Sequence, residues 1–322
     1  NNSIKSLDPK IKNAIDFAYS RILKFHSLQK NKNIKFTDKH KNKIEYIYSP
    51  IQSVGIYVPA NLPSSLLMNA IPAKVSNVKK IILATPKPDP AVMYAAKKLG
   101  IKEIYFMGGA QAIASLAYIQ NVDKIVGPGN KFVAEAKRQI SGKIVGTESM
   151  FAGPSEICVV ADKFTNINQI ATSLVSQAEH DPNSQCILVT KDKSILPKVN
   201  LAIKKINKKL PRKKVATKSL KNHGLVIIVK NDNEIVNTIN SIAPEHLEIN
   251  VKNFKKYVKK IYNVGSICNG KFTPMSLSDY TVGTNHILPT SGSAKFSSGL
   301  SINEFIKKIS IVTLSKLGVE KI

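Results

Sequence analysis

Three groups of residues have the types and spacing to do chemistry. Gln177-Ala178-Glu179-His180 sets an amide and an imidazole three residues apart. On a helix that spacing puts both on one face, where they can point at one ion. Ile167, Ile170, Ala171, Leu174 and Val175 give the helix an apolar stripe, and Asp181-Pro182 stops it. His180 is thereby expected in the last turn, facing a strand end, where open α/β sheets place ligands. A histidine whose charge complements the helix C-terminus is the plain alternative.

Pro244-Glu245-His246 stands at the entrance of an apolar run, Leu247 to Val251. Adjacent residues of a strand point to opposite sides, so a carboxyl group and an imidazole can flank one substrate. Oxidation of an alcohol needs a base for the hydroxyl proton while hydride leaves, and histidine titrates near working pH. A neighbouring glutamate could activate water for a second step; a surface turn is the alternative. The third group, Ser278 to Thr290, holds Asp279 and His286 seven apart among hydrogen-bonding side chains. Loops this polar in a compact domain are binding loops more often than filler. Gly108-Gly109-Ala110-Gln111 and Gly127-Pro128-Gly129-Asn130 each open a helix and offer free N–H groups, yet neither completes GxGxxG. On their own they read as tight turns.

The elements that must position these residues follow from periodicity. An amphipathic helix is predicted from Ile4 to Gln29, then a solvated, lysine-rich stretch from Lys30 to Lys43. Strands are predicted at Ser53 to Val58, Lys80 to Ala84, Glu103 to Phe106, Lys124 to Val126 and Lys143 to Val145, with helices between them. A second series has strands at Ile157 to Ala161, Cys186 to Thr190, Gly224 to Val229 and Leu247 to Val251, and helices at Ile167 to Glu179, Ile195 to Lys208 and Glu234 to Ile242. Such alternation implies parallel sheets wound on both faces, in two α/β units meeting near Ser149 to Ser155. A loop-rich wall is expected from Gly265 to Gly299, and a last helix from Ile302 to Leu317.

Composition narrows the class. A chain of 322 residues can form two domains and bury about three quarters of its unfolded surface. No apolar run approaches the ~20 residues of a membrane-spanning helix, and no signal-peptide pattern opens the chain. It begins at Asn1 rather than Met, which reads as a fragment or a processed form. Cys158, Cys186 and Cys268 are too scattered for a disulfide framework or thiolate cage, so buried small hydrophobes in a reducing cytoplasm are expected. The net charge of +27 raises nucleic-acid binding as a second class of function. Against it, of 48 basic residues only Arg21, Arg138 and Arg212 are arginine, the side chain that reads phosphates and bases bidentately. The lysines are spread along the chain beside abundant Asn and Ile, which matches A/T-rich codon usage; no nucleic-acid partner is expected.

Taken together, the blocks Phe151-Ala152-Gly153-Pro154-Ser155-Glu156, Ser176 to Gln185, Pro244-Glu245-His246-Leu247, Ser278-Asp279-Tyr280 and Gly283 to Thr290 resemble the histidinol dehydrogenase family, in its order and spacing. The two glycine segments, Gly108 to Ala114 and Gly127 to Asn130, also match. The resemblance covers essentially the whole chain. It implies two Rossmann-like parallel-sheet units with helices on both faces, and oxidation of L-histidinol to L-histidine through L-histidinal by two hydride transfers to NAD, the last step of histidine biosynthesis. A related zinc- and NAD-dependent enzyme for another polar alcohol is the alternative, against which both Ser155 and His286 are retained. The resemblance implies one zinc ion per subunit on Gln177, His180 and Asp279, and substrate contacts from these three, Ser155, Glu245 and His286. In it Glu245 activates water, His246 is the acid–base residue, and Tyr57, Gln111 and Asn130 contact NAD. It implies a metal and substrate domain of residues 1–55 plus 157–300, an NAD-contacting domain of 56–156, and at 301–322 the start of a helical segment. It further implies a soluble cytoplasmic homodimer, with no membrane partner. Family members begin before Asn1 and continue past Ile322 into a tail that gives the neighbouring subunit another zinc-binding histidine and a substrate-binding glutamate, so weaker metal retention and activity are expected of the part present here. They also carry a longer, two-glycine loop where this chain has Ala60-Asn61-Leu62-Pro63.

Overall fold

The computed structural model describes residues 2–149 and 153–321; Phe151 and Ala152, which open one of the motif blocks, lie outside them. The chain forms two compact units, unit 1 from Asn1–Glu148 with Leu300–Ile322, and unit 2 from Ser149–Gly299.

Unit 1 begins with helices α1 (Asn2–Lys5) and α2 (Pro9–Ser27), and a hairpin of β1 (Ile34–Thr37) and β2 (Lys43–Pro50). Then β3 (Ser53–Tyr57), α3 (Pro63–Val75), β4 (Lys80–Thr85), α4 (Pro90–Leu99), β5 (Glu103–Phe106), α5 (Gly109–Ala114), β6 (Lys124–Val126), α6 (Lys131–Ile140) and β7 (Gly146–Thr147) alternate. The strands form one parallel sheet in the order β5-β4-β3-β6-β7. Its central strand β3 is covered on both faces, hence the unbroken apolar character of Val54 to Val58. The helices start and stop on sequence signals. In α4 the Asp89 side chain accepts from Ala91 and Val92 N–H, Pro90 opens the first turn, and Gly100 ends it at φ 77°.

Unit 2 repeats the plan. It contains β8 (Glu156–Ala161), α7 (Ile167–Ala178), β9 (Gln185–Thr190), α8 (Leu196–Asn207), α9 (Lys213–His223), β10 (Gly224–Ile228), α10 (Asp232–Ile242), β11 (His246–Ile249), α11 (Lys255–Val258), β12 (Ser266–Asn269) and α12 (Met275–Ser278). The order β10-β9-β8-β11-β12, again all parallel, reverses direction between β8 and β11 as the first sheet does between β3 and β6. Side chains alternate between two cores. Ile157 and Val159 pack with Ile170 and Leu174, while Cys158 and Val160 pack with Ile235 and Ile239. The chain then returns to unit 1 as β13 (Ile306–Thr313) and α13 (Lys316–Lys321).

Several expectations are corrected. The helix predicted from Ile302 to Leu317 is largely β13, paired antiparallel with β2 over eight positions. Its run of Ile, Val and Thr suits a pleated surface better than a helix, and the helical spacing of Phe305, Ile309 and Val312 is coincidental. The stretch from Lys30 to Lys43 is not plain solvated chain. Ile34 and Phe36 lie in β1, and the Asp38 side chain closes the turn by accepting from the N–H groups of His40 and Asn42. Helix α9 and strand β12 are additions. Residues 1–55 belong with 56–148 rather than with unit 2, because β3 is the middle of the first sheet, α2 packs on α3, and β2 pairs with β13. Among the described residues no helix is long and apolar enough to cross a membrane.

His26, on α2, is fully buried, and burial lowers its pKa from 6.5 to about 4. The folded chain thus keeps it neutral where the unfolded chain protonates it. Stability from this group is complete above pH 6.5 and is lost as pH falls toward 4, by roughly 1.4 kcal/mol per pH unit inside that window. Thermal melts of the parent and His26→Leu across this range should show the steeper acid loss in the parent. Parallel curves would exclude His26 as the cause.

Candidate active site

Three connections bring the predicted groups of unit 2 to one edge of its sheet. Ser155 immediately precedes β8, Glu245 immediately precedes β11, and His246 is the first residue of β11. His246 is registered beside Ile157 of β8 and Ser266 of β12. Helix α7 runs back toward the start of β9, so Gln177 and His180 arrive at the same amino-terminal edge. The sequence placed His180 in the last helical turn near the ligand-binding end of the strands. It instead follows the C-cap Glu179 and lies at the opposite, amino edge. A helix crossing back between parallel strands must end there, and the Asp181-Pro182 turn, where Asn183 N–H donates to Asp181 Oδ1 at 2.8 Å, fixes the exit.

The side chains form one cluster. His246 Nε2 lies 3.7 Å from Glu245 Oε1 and 3.7 Å from Asp279 Oδ1. Glu245, His246, Asp279 and Gln177 are all buried, the last at 1% exposure. His286 Nδ1 is 2.6 Å from the Asp279 carbonyl oxygen. A carbonyl only accepts, so that nitrogen carries the proton and the neutral ring presents Nε2 as a lone pair. Ser155 is half-buried, and its carbonyl accepts from Gln185 N–H at 3.0 Å.

Burial sets the electrostatics. It pushes the Glu245 carboxyl well above its usual range, against the hydrogen bond from Glu156 N–H and with help from the Asp279 and Glu156 charges. It raises Asp279 to about 7. It lowers His246 to about 3, with the His286 and His180 charges acting the same way, and it lowers His180 and His286 too. The imidazoles are therefore neutral, as bases and metal ligands must be, while the carboxyl groups are made more basic.

Two atoms bear on whether a metal fits. Asp279 Oδ1 and His246 Nδ1 are buried and make no hydrogen bond. A partnerless carboxyl oxygen beside a neutral imidazole offers the nitrogen and oxygen donors that suit zinc. Among the described residues no group of three or more His, Cys, Asp or Glu is arranged to hold a metal ion. None of the three cysteines is a thiolate at neutral pH. All are buried and unpaired, and burial raises their thiols to about 12, 12 and 11 for Cys158, Cys186 and Cys268.

The residues expected to contact a dinucleotide gather at the carboxyl edge of the first sheet, where its strand order reverses. Tyr57 ends β3, and its hydroxyl accepts from Gly109 N–H at 3.3 Å. Gly127 ends the β6 connection at φ 116°, and a Cβ there would fall 2.0 Å from the Tyr57 carbonyl oxygen, so only glycine allows the two loops to meet. Asn130 is the N-cap of α6, its Oδ1 accepting from Phe132 and Val133 N–H at 3.1 and 3.2 Å. Gln111 is exposed on α5.

Sequence reasoning missed four supporting residues. Glu156 Oε1 accepts from Ser291 N–H at 3.0 Å, and Thr290 Oγ1 from Gly153 N–H at 2.6 Å, tying the two motif loops together. Arg212 donates to the His180 carbonyl at 3.1 Å. Glu248, two residues beyond His246, is fully buried. A charged residue inside a strand covered on both faces was the available signal for Glu156 and Glu248.

Comparison with known proteins bears on this arrangement. The histidinol dehydrogenase family model matches residues 1–322. The histidinol dehydrogenase of Pelagibacter ubique is 57% identical over 331 residues, covering 99% of this chain and 77% of that protein. Histidinol dehydrogenase 1 of a Nostoc species is 46% identical, covering 97% and 75%. The crystal structure of the enzyme from Elizabethkingia anophelis superposes with a TM-score of 0.95 at 38% identity, covering 99% and 76%. The chain thus spans about three quarters of the length of these proteins, and it belongs to the histidinol dehydrogenase family.

Proposed function

We propose that this oxidoreductase converts L-histidinol to L-histidine through L-histidinal, with NAD as acceptor and one zinc ion per subunit orienting the substrate. The observation that carries this reading is the buried cluster in which neutral His246 stands 3.7 Å from both Glu245 and Asp279. Histidinol rather than another polar alcohol is supported by Ser155 and His286, a hydroxyl and a neutral imidazole suited to a polar substrate. Gln177, His180 and Asp279 would hold the zinc, and Tyr57, Gln111 and Asn130 would contact the dinucleotide. When bound, zinc supplies a fixed template for substrate nitrogen atoms and NAD supplies the acceptor for hydride. His246, uncharged and out of water, takes the hydroxyl proton during the first oxidation. Glu245, made more basic by burial, takes a proton from water so that the aldehyde is hydrated for the second. His286, its ring fixed by the Asp279 carbonyl, presents an acceptor nitrogen to the substrate. A homodimer is supported by exposed apolar side chains such as Ile34, Phe36 and Val312, and a reducing, cytoplasmic setting by three buried free thiols.

Incubation with histidinol and NAD should yield two NADH per substrate consumed, with loss of the rate on chelation and recovery on adding zinc. A rate unmoved by exhaustive chelation would remove zinc from this reading. His246→Asn should lower turnover ~10²–10⁴-fold with zinc content unchanged; a variant as active as the parent would take His246 out of the chemistry. A folded triple Cys→Ser variant at 158, 186 and 268 should keep hydride transfer, and its loss would return the thiols to consideration.

A further inference from the structure

The fully buried side chain of Glu248 has no part in the chemistry described above. It sits in β11 between Leu247 and Ile249, registered beside Val159 of β8 and Cys268 of β12, where its immediate neighbours are apolar or small. A leucine or methionine there would satisfy packing without removing a carboxyl group from water. Replacing buried polar groups with apolar ones of similar volume is commonly neutral or stabilising, so packing alone does not explain a glutamate.

Its hydrogen bonds do. Oε2 accepts from Ser173 Oγ at 2.7 Å and from Asn250 Nδ2 at 3.0 Å, and Oε1 accepts from Met275 N–H at 2.7 Å. Two of these partners, Ser173 and Met275, lead to different parts of the candidate site. Ser173 is four residues before Gln177 on the same stripe of α7, and His180 follows the end of that helix. Met275 opens α12, and its carbonyl accepts from Asp279 N–H at 3.3 Å, so the position of Met275 sets that of Asp279. Glu248 itself is two residues from His246 and shares its face of β11. Helix α12 packs against both α7 and β11, and this one side chain, on β11, is bonded to both α7 and α12.

We propose that Glu248 is a positioning residue, holding α12 against α7 and β11 so that Asp279 faces Gln177, His180 and His246 in one fixed arrangement. The proposal rests on the reading of Gln177, His180 and Asp279 as the zinc site. Supporting residues of this kind commonly change metal affinity or activity 10–100-fold when replaced.

The test compares the full chain with Glu248→Gln and Glu248→Leu by thermal melting, zinc dissociation constant and steady-state kinetics. Leucine keeps the volume and removes both acceptor oxygens, and with them all three hydrogen bonds. Glu248→Leu should melt below the parent, because the Ser173, Asn250 and Met275 donors lose their acceptor, and in its folded state should bind zinc ~10–100-fold more weakly, with kcat reduced and partly recovered at saturating zinc. Glu248→Gln, which keeps one acceptor oxygen, should fall between the two. A folded Glu248→Leu with parental zinc affinity and kcat overturns the proposal, as does a variant whose only defect is a lowered melting temperature. A parent chain that neither binds zinc nor oxidises histidinol overturns the functional reading itself, and this proposal with it; the parent measured in parallel tells the two failures apart.

Discussion

Much of unit 2 follows from keeping two carboxyl groups and an imidazole out of water without fully pairing them. A buried polar atom without a partner costs ~1–3 kcal/mol, and the cluster contains two, Asp279 Oδ1 and His246 Nδ1. Such a cost persists only where the surrounding structure fixes the groups firmly. Here it does so with a parallel sheet apolar on both faces and with backbone N–H groups aimed at side-chain oxygens, Glu156 to Glu245, Ser291 to Glu156 and Met275 to Glu248. These contacts orient the carboxyl groups from outside the cluster and leave their inward atoms open. An open, desolvated donor set is what a metal or a substrate proton requires, and a fully satisfied one would be inert.

With the same wiring, each unit brings its candidate residues to a different edge of its sheet. Both sheets start at a central strand, step outward twice, then cross back to the other side. In unit 1 the residues read as dinucleotide contacts follow the carboxyl ends of the strands, the end at which open α/β sheets bind ligands. Close approach of the loops there depends on Gly127. In unit 2 the candidate site residues enter from the amino ends, and the strand that carries His246 is an interior one. That places the imidazole between neighbouring strands on both sides rather than at a solvated margin, and burial alone then accounts for most of its shift.

How legible this was depended on whether local pattern and tertiary partner agreed. The alternating strands and helices carry strong periodicity and stop signals such as Asp89-Pro90 and Gly100, so their positions were readable. The hairpin and β13 were not, because an exposed three-stranded antiparallel sheet has no buried face to impose a clean alternation; Ile34, Phe36 and Val312 are all exposed. Helix α9 was hidden by a narrow apolar stripe, with Ala216 and Ser219 its buried residues. Site residues were recognisable by type and by family resemblance, but the edge at which they meet was not, since that depends on which strand lies in the centre. Glu248 was passed over because its three partners lie 2, 27 and 75 residues away, and no local pattern links them.

Charge usage fits the same division between surface and site. Lysine dominates, and most of the ion pairs it makes are exposed, of a kind that contributes little to stability. Two are more enclosed, Lys137 with Glu148 and Lys124 with Glu304, both at 2.5 Å, and the second fastens the returning segment to the first sheet. Arginine is placed differently. Arg138 forms a two-pronged pair with Glu135, Arg21 lies over the Phe17 ring, and Arg212 reaches the carbonyl of His180. In a chain whose basic residues are otherwise all lysine, each arginine occupies a position where a planar guanidinium has a specific receptor. The lysine excess is therefore a property of solvation and composition, while the one arginine that touches the candidate site steadies the backbone of a residue expected to hold the metal.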